Sequence, residues 1–241
     1  MAVKTTKYAD LGLEDPVAII GFPSIGLVSS IMANFYVNQL KMEPIAGMSS
    51  PSMPPYCLIQ NGTAYPPVRI YGRRHTAKNG RDAIVVLSEY APKPEDCYEL
   101  VHALLAYLKY SGVKDVICLD GIGRSSDADV PVTCGSGAGS ARMMKKSKFR
   151  IMEGGMVKGT TGVMLYEGVN YGIDVTALMV PANPSLPDPG SAVGFMSAIS
   201  AMVPGFRTSP KPLIAEAEEI QRHLEAQESA ADQSDSAGFY G

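Results

Sequence analysis

Continuous apolar runs, each closed by glycine or proline and followed by a segment with helical spacing, organise this chain. Val17-Ala-Ile-Ile-Gly-Phe22 predicts a buried strand that stops at Pro23, after which Ser24 caps a helix carrying Ile25, Val28, Ile31, Met32 and Phe35 on one side. Ala83-Ile-Val-Val-Leu-Ser88 predicts a second strand. Pro92, Pro94, Glu95 and Asp96 then open a helix that runs to about Tyr110, with Leu100, Ala103, Leu104, Tyr107 and Leu108 inward. Val116-Ile-Cys-Leu-Asp120, leading into Gly121-Ile-Gly123, and Val175-Thr-Ala-Leu-Met-Val180, ending at Pro181, are further strands. Strands apolar at every position are buried on both faces, and their alternation with helices predicts an α/β fold with a mainly parallel, helix-covered sheet.

The remaining pattern adds to this frame. Met53-Pro-Pro-Tyr56 through Pro66-Pro-Val-Arg-Ile-Tyr71 reads as hairpin strands bordered by proline, an antiparallel extension. Thr160 to Asn170 predicts a helix with Val163, Met164 and Tyr166 inward. Gly190 to Val203 is apolar and alanine-rich, too short for a membrane span, and predicts a buried helix. Pro210 and Pro212 start a last helix over about 210–227, with Ile214, Ala217, Ile220, Gln221 and Leu224 on one stripe that docks on the body or on a second copy. The organisation expected is one α/β domain over 1–228 and a flexible tail over 229–241. Residues 229–238 hold no large apolar side chain to offset the entropy of ordering.

Composition narrows the function. With 241 residues and 46% hydrophobic content, one substantial core is expected. The net charge of −3 and a single short basic cluster, Lys145, Lys146 and Lys148 with Arg142 and Arg150, fit a solvated helix end and argue against nucleic-acid binding. Cys57, Cys97, Cys118 and Cys134 are scattered without a CxxC pair, as free thiols in a reducing compartment would be. The N-terminal Met1-Ala-Val-Lys-Thr-Thr-Lys7 has no apolar leader core, and no apolar run approaches the roughly 18 residues of a membrane span. The expectation is a soluble, cytoplasmic protein.

Candidate chemistry is sparse. The Gly21-Phe-Pro-Ser-Ile-Gly26 turn joins a strand to a helix, where backbone amides can hold an anion; two readings stand there, a ligand turn and a turn that lets helix and sheet pack closely. It is not a Walker A loop, because Leu27 and Val28 follow Gly26. Ser88 and Glu89, at the carboxyl end of a core strand, mark the same end of the sheet, so Gly21, Pro23, Ser24, Gly26, Ser88 and Glu89 define a candidate strand-end pocket. Gly135-Ser-Gly-Ala-Gly-Ser140 lacks dinucleotide spacing and reads as a loop. Asp120, Asp127 and Asp129 match no calcium loop and read as surface aspartates in a turn. His75, His102 and His223 form no visible catalytic grouping. No metal, cofactor or catalytic residue is expected.

The tail points elsewhere. Phe239-Tyr240-Gly241 places a hydrophobic residue, a penultimate tyrosine and a carboxylate after the polar tether, the composition of a docking peptide. Together with Ile19-Ile-Gly-Phe-Pro-Ser-Ile-Gly-Leu-Val28, Tyr65-Pro-Pro-Val-Arg-Ile-Tyr71, Leu87-Ser-Glu-Tyr90 and Leu119-Asp-Gly-Ile122, over residues 15–225, the chain resembles the PAC2, or proteasome assembly chaperone, family. That resemblance implies a body similar to the phosphorylase/hydrolase-like fold, homo-oligomers with or without a second paralogue, and binding to 20S proteasome α-subunits. It further implies that Tyr240 fills a pocket between adjacent α-subunits, that the Gly241 carboxylate pairs with a pocket lysine and that Phe239 adds apolar contact. Assembly and gate opening are both open as the biological role. The competing expectation is a protein or enzyme that binds a nucleoside or phosphorylated metabolite in the strand-end pocket.

Overall fold

The computed structural model describes residues 3–75, 80–124 and 130–219. Its strands are β1 (Lys4–Lys7), β2 (Val17–Gly21), β3 (Glu43–Ser49), β4 (Leu58–Gln60), β5 (Thr63–Tyr65), β6 (Val68–Arg73), β7 (Ala83–Ser88), β8 (Asp115–Gly123), β9 (Val132–Ser136), β10 (Arg150–Ile151) and β11 (Asp174–Ala182). The helices are α1 (Val28–Gln39), α2 (Pro94–Tyr110), α3 (Ser140–Ser147), α4 (Gly159–Glu167), α5 (Pro189–Ala192) and α6 (Gly194–Met202), and a further helix, α7, is described over 211–219. Nine strands form one sheet in the order β1-β3-β6-β7-β2-β8-β11-β9-β10.

The four strands predicted from apolar runs, β7, β2, β8 and β11, lie side by side and parallel at the centre. Period-two alternation splits their side chains between two layers. Val17, Ile19, Val85, Leu87, Ile117, Leu119, Leu178 and Val180 pack with α1 and α6, whereas Ala18, Ile20, Val86, Val116, Cys118 and Val175 pack with α2 and α4. Both faces of the central strands are thereby removed from water, which is why their sequences are nearly continuous apolar runs with polar residues mostly at the ends.

The sheet is more mixed than expected. β6, β3 and β1 add antiparallel to one side, and β9 runs antiparallel to β11 on the other, so half of the strand pairings are antiparallel. The antiparallel extension is present, but it is built mainly from β6 and from β3 and β1, which the apolar pattern did not mark. The predicted hairpin shrinks to β4–β5, a separate ribbon turning at Asn61 and Gly62, both at positive φ (49° and 77°) as such a two-residue turn requires.

Other boundaries moved for local reasons. β11 continues through Pro181 to Ala182, because β9 pairs with it only as far as Met179 and Pro181 lies beyond that ladder. The glycine-rich segment after Cys134 is not simply a loop: Gly135 and Ser136 belong to β9, and Ser140 opens α3, whose last turn carries the exposed Lys145 and Lys146. In α4, Met164 is buried, but Tyr166, expected inward, is 58% exposed. Leu213 anchors α7 to the body, whereas Ile214 is 43% exposed; Ile220, Gln221, Leu224 and the tail lie outside the described residues. Cys97 and Cys118 are buried free thiols, Cys134 is half-buried and Cys57 exposed. No helix among the described residues is long and apolar enough to cross a membrane.

Candidate functional site

A cleft of about 410 Å³ opens at the carboxyl ends of β2 and β8, where three chain segments converge. Phe22, Pro23, Ser24 and Ile25 leave β2, Asp120 to Gly123 leave the centre of the sheet, and Met156 to Thr161 bring in the first turn of α4. Ala91, Pro92 and Cys97 close it from the start of α2. This is the crevice outside the strand ends where ligands of α/β sheets gather.

The turn after β2 is shaped by two left-handed residues, Gly26 (φ 63°) and Leu27 (φ 52°), which separate a single 3-10 turn, Ile25–Leu27, from α1. A side chain at Gly26 would place Cβ 2.9 Å from Ala182 Cβ and 3.0 Å from the Asn183 carbonyl oxygen, so the position admits only glycine. Gly26 also accepts a hydrogen bond from the Asp188 amide at 2.8 Å, which fastens the turn to the segment after β11. Ser24, expected to cap the helix, makes no capping bond; its hydroxyl pairs with that of Ser29.

The candidate pocket residues therefore separate. Pro23 and Ser24 line the cleft. Gly21 faces α1, where an added Cβ would meet Ala33 Cβ and the Ser29 carbonyl, and Gly26 faces β11. Ser88 is buried and outside the cleft lining, its hydroxyl donating to the Tyr90 carbonyl at 2.8 Å, and Glu89 pairs with the buried guanidinium of Arg69. Only the first pair shares the cleft.

Asp120, expected on the surface of a turn, is instead part of β8 and reaches the cleft. One carboxyl oxygen accepts the Gly121 N–H at 2.8 Å, and the side chain of Thr161 of α4 lies near the carboxyl and favours its charged form. Burial nevertheless pushes its pKa above the usual carboxylate range, against the pull of Thr161 and the Gly121 amide. Its negative field adds to burial in raising the thiols of Cys118 and Cys134, and Asp96 and Glu95 act in the same direction on Cys97. These cysteines are held as thiols, not nucleophilic thiolates. Asp127, Asp129 and His223 lie outside the described residues. Among the described residues no group of three His, Cys, Asp or Glu side chains is placed to hold a metal ion.

The sequence signal for Asp120 was a lone acid at the end of an apolar strand, directly before Gly121. Its partner Thr161 comes from a helix that only the fold brings near. The docking residues Phe239, Tyr240 and Gly241 lie outside the described residues.

Comparison with known proteins relates this architecture to a group of archaeal and bacterial structures. The crystal structure of Pyrococcus furiosus PbaA, an archaeal homolog of proteasome-assembly chaperone, matches with a TM-score of 0.84 at 26% identity, covering 98% of this chain and 96% of that one. Pyrococcus furiosus PbaB, an archaeal proteasome activator, shares the fold with a TM-score of 0.81 at 20% identity, over 94% of this chain and 99% of that one. An uncharacterized protein of Methanocaldococcus jannaschii is 24% identical over 225 residues, 92% of this chain and 90% of that protein. The PAC2 family model matches residues 18–228, from the first central strand through both helical layers and every wall of the cleft, and the chain belongs to the PAC2 family.

Proposed function

We propose that this protein is a proteasome assembly chaperone or an ATP-independent proteasome activator, which docks on the α-ring of the 20S particle through Phe239, Tyr240 and Gly241. The observation that carries this reading is the likeness to PbaA over 98% of the chain at a TM-score of 0.84. Family membership over residues 18–228 supports it. A flexible chain of about 13 residues spans roughly 20 Å, so a tail of the length of 229–241 would suffice to carry a short anchor from the body into a neighbouring pocket.

A three-residue anchor binds weakly alone, so the mechanism calls for several tails on a cytoplasmic homo-oligomer, where the second and later contacts gain from effective concentration. The role is one of binding, without catalysis. A phosphorylated metabolite as the main ligand draws no support from the cleft, because the carboxyl of Asp120 stands in its lining.

The test is co-sedimentation of the full chain, and of a chain lacking Phe239-Tyr240-Gly241, with 20S proteasome from the same organism, together with peptide hydrolysis by that particle. Binding is expected only with the tail present, and increased hydrolysis would assign gate opening over assembly. Equal binding by both chains overturns the docking mechanism, and binding by neither overturns the proteasome reading.

A further inference from the structure

The docking proposed for the tail makes no use of the strand-end cleft, whose chemistry is specific enough to name a ligand class. We propose that it binds a small organic cation, a primary ammonium on an apolar stem, with the Asp120 carboxylate as counter-ion.

The space is suitable: about 410 Å³ lies within the roughly 300–1,000 Å³ of small-molecule sites. Phe22, Ile25, Leu119, Val157 and Met179 give apolar walls for a hydrocarbon stem. Against these walls Asp120 is the acidic group, and the hydroxyls of Ser24, Thr160 and Thr161 complete the polar lining with Lys158, which is exposed at the rim.

The sign of the charge follows from the surroundings. At the amino end of α4, where a helix would hold a phosphate or carboxylate, Thr160 and Thr161 share the cleft lining with the carboxyl of Asp120, which opposes a second anion there. Glu95 and Asp96, in the first turn of α2, add negative field at Cys97 in the cleft wall. Asp120 lies inside the cleft whereas Lys158, the basic residue of its lining, is exposed at the rim, which disfavours an anion beside Asp120 and favours a cation. An ammonium in contact with Asp120 would also give this shielded carboxylate the counter-charge that its burial otherwise lacks.

Three six-carbon probes that differ only at the head test this: hexylamine, 1-hexanol and hexanoate, titrated into the full chain with the amide signals of Gly121, Gly123 and Thr160 followed by nitrogen-15 NMR. Hexylamine is expected to bind about tenfold tighter than 1-hexanol, as a charge-assisted hydrogen bond allows, and hexanoate more weakly than either. Asp120→Asn should bring hexylamine to the level of 1-hexanol and leave 1-hexanol unchanged. Ile25→Trp, which fills the mouth of the cleft, should weaken all three probes.

Alkylamines remain charged below about pH 9, so in the unaltered protein hexylamine affinity should fall as the pH is lowered and Asp120 takes up its proton. That profile reads the same contact should Asp120→Asn fail to fold. Hexylamine binding no tighter than 1-hexanol, preference for hexanoate, indifference of hexylamine to both Asp120→Asn and pH, or no shifts with any probe overturns the proposal. None of these outcomes bears on proteasome docking.

Discussion

His102 Nε2 stands 3.1 Å from Glu167 Oε2, and across the same ring Nδ1 meets the Tyr171 hydroxyl at 2.8 Å. The Asn170 amide donates to the same Glu167 oxygen at 3.0 Å, and the Tyr98 ring lies 4.2 Å from the imidazole. One imidazole therefore ties the middle of α2 to the end of α4 and to the 3-10 turn that follows it. This helical layer supports the wall of the cleft that Thr160 and Thr161 form.

Glu167→Ala removes the carboxylate that stands against the His102 ring and leaves the Asn170 amide without its acceptor. Unfolding free energy is expected to fall by about 1–3 kcal/mol, measured by urea denaturation, and Glu167→Gln, which retains an acceptor oxygen, should recover much of the loss. Equal midpoints for Glu167→Ala and the unaltered chain would remove this cluster from the account of stability.

Arg81 Nη1 lies 2.5 Å from Asp115 Oδ2, and its Nε donates to the Asp15 carbonyl at 2.8 Å. Asp115 is buried at the start of β8, so Arg81→Ala takes the cation from a shielded carboxylate. A loss of about 2–4 kcal/mol is expected, and adding Asp115→Asn should return part of it by removing the stranded charge. The check is a double-mutant cycle: additive losses would show that the pair does not act as a unit.

Gly21 and Gly123 end neighbouring parts of the central sheet, but they differ in the space around them. A Cβ at Gly21 would fall 2.4 Å from Ala33 Cβ and 2.7 Å from the Ser29 backbone oxygen, whereas at Gly123 the nearest atom, Ile25 Cδ1, is 3.9 Å away. Gly21→Ala is expected to cost about 2 kcal/mol or more by forcing α1 off the sheet, and Gly123→Ala to stay within about 1 kcal/mol of the unaltered protein. Thermal unfolding of the two variants checks the order, which reversed values would refute.

Stability should also report the titration of Asp120. Its pKa in the folded chain is raised by burial, so between the ordinary carboxylate value and the folded one the native state holds a proton that the unfolded chain has lost. This contribution is fully present below the unfolded pKa and is lost as pH rises through the folded one. Asp120→Asn, which does not titrate, should therefore gain stability relative to the unaltered chain on going from about pH 4 to about pH 7.5. A stability difference that is the same at both pH values would contradict the assignment.

The sequence by itself determined the centre of this molecule. β2, β7, β8 and β11 were legible because a parallel strand covered on both faces reads as a nearly continuous apolar run, and α2 because its prolines, first-turn acids and apolar stripe coincide with one helix from Pro94 to Tyr110. The family was legible for the same reason, since the order of these strand-end motifs survives in a single chain. Only the tertiary structure decided the margins. β1 reads Lys-Thr-Thr-Lys, and β3 contains proline and glycine; both hold their places through ladders to a neighbour, an interaction that leaves no periodic trace in their own residues. It also decided the cleft. Asp120 meets Thr161, and His102 meets Glu167, across long stretches of chain, because the sheet fixes where each helix begins and ends, while hydrophobic periodicity specifies only which side of each helix turns inward.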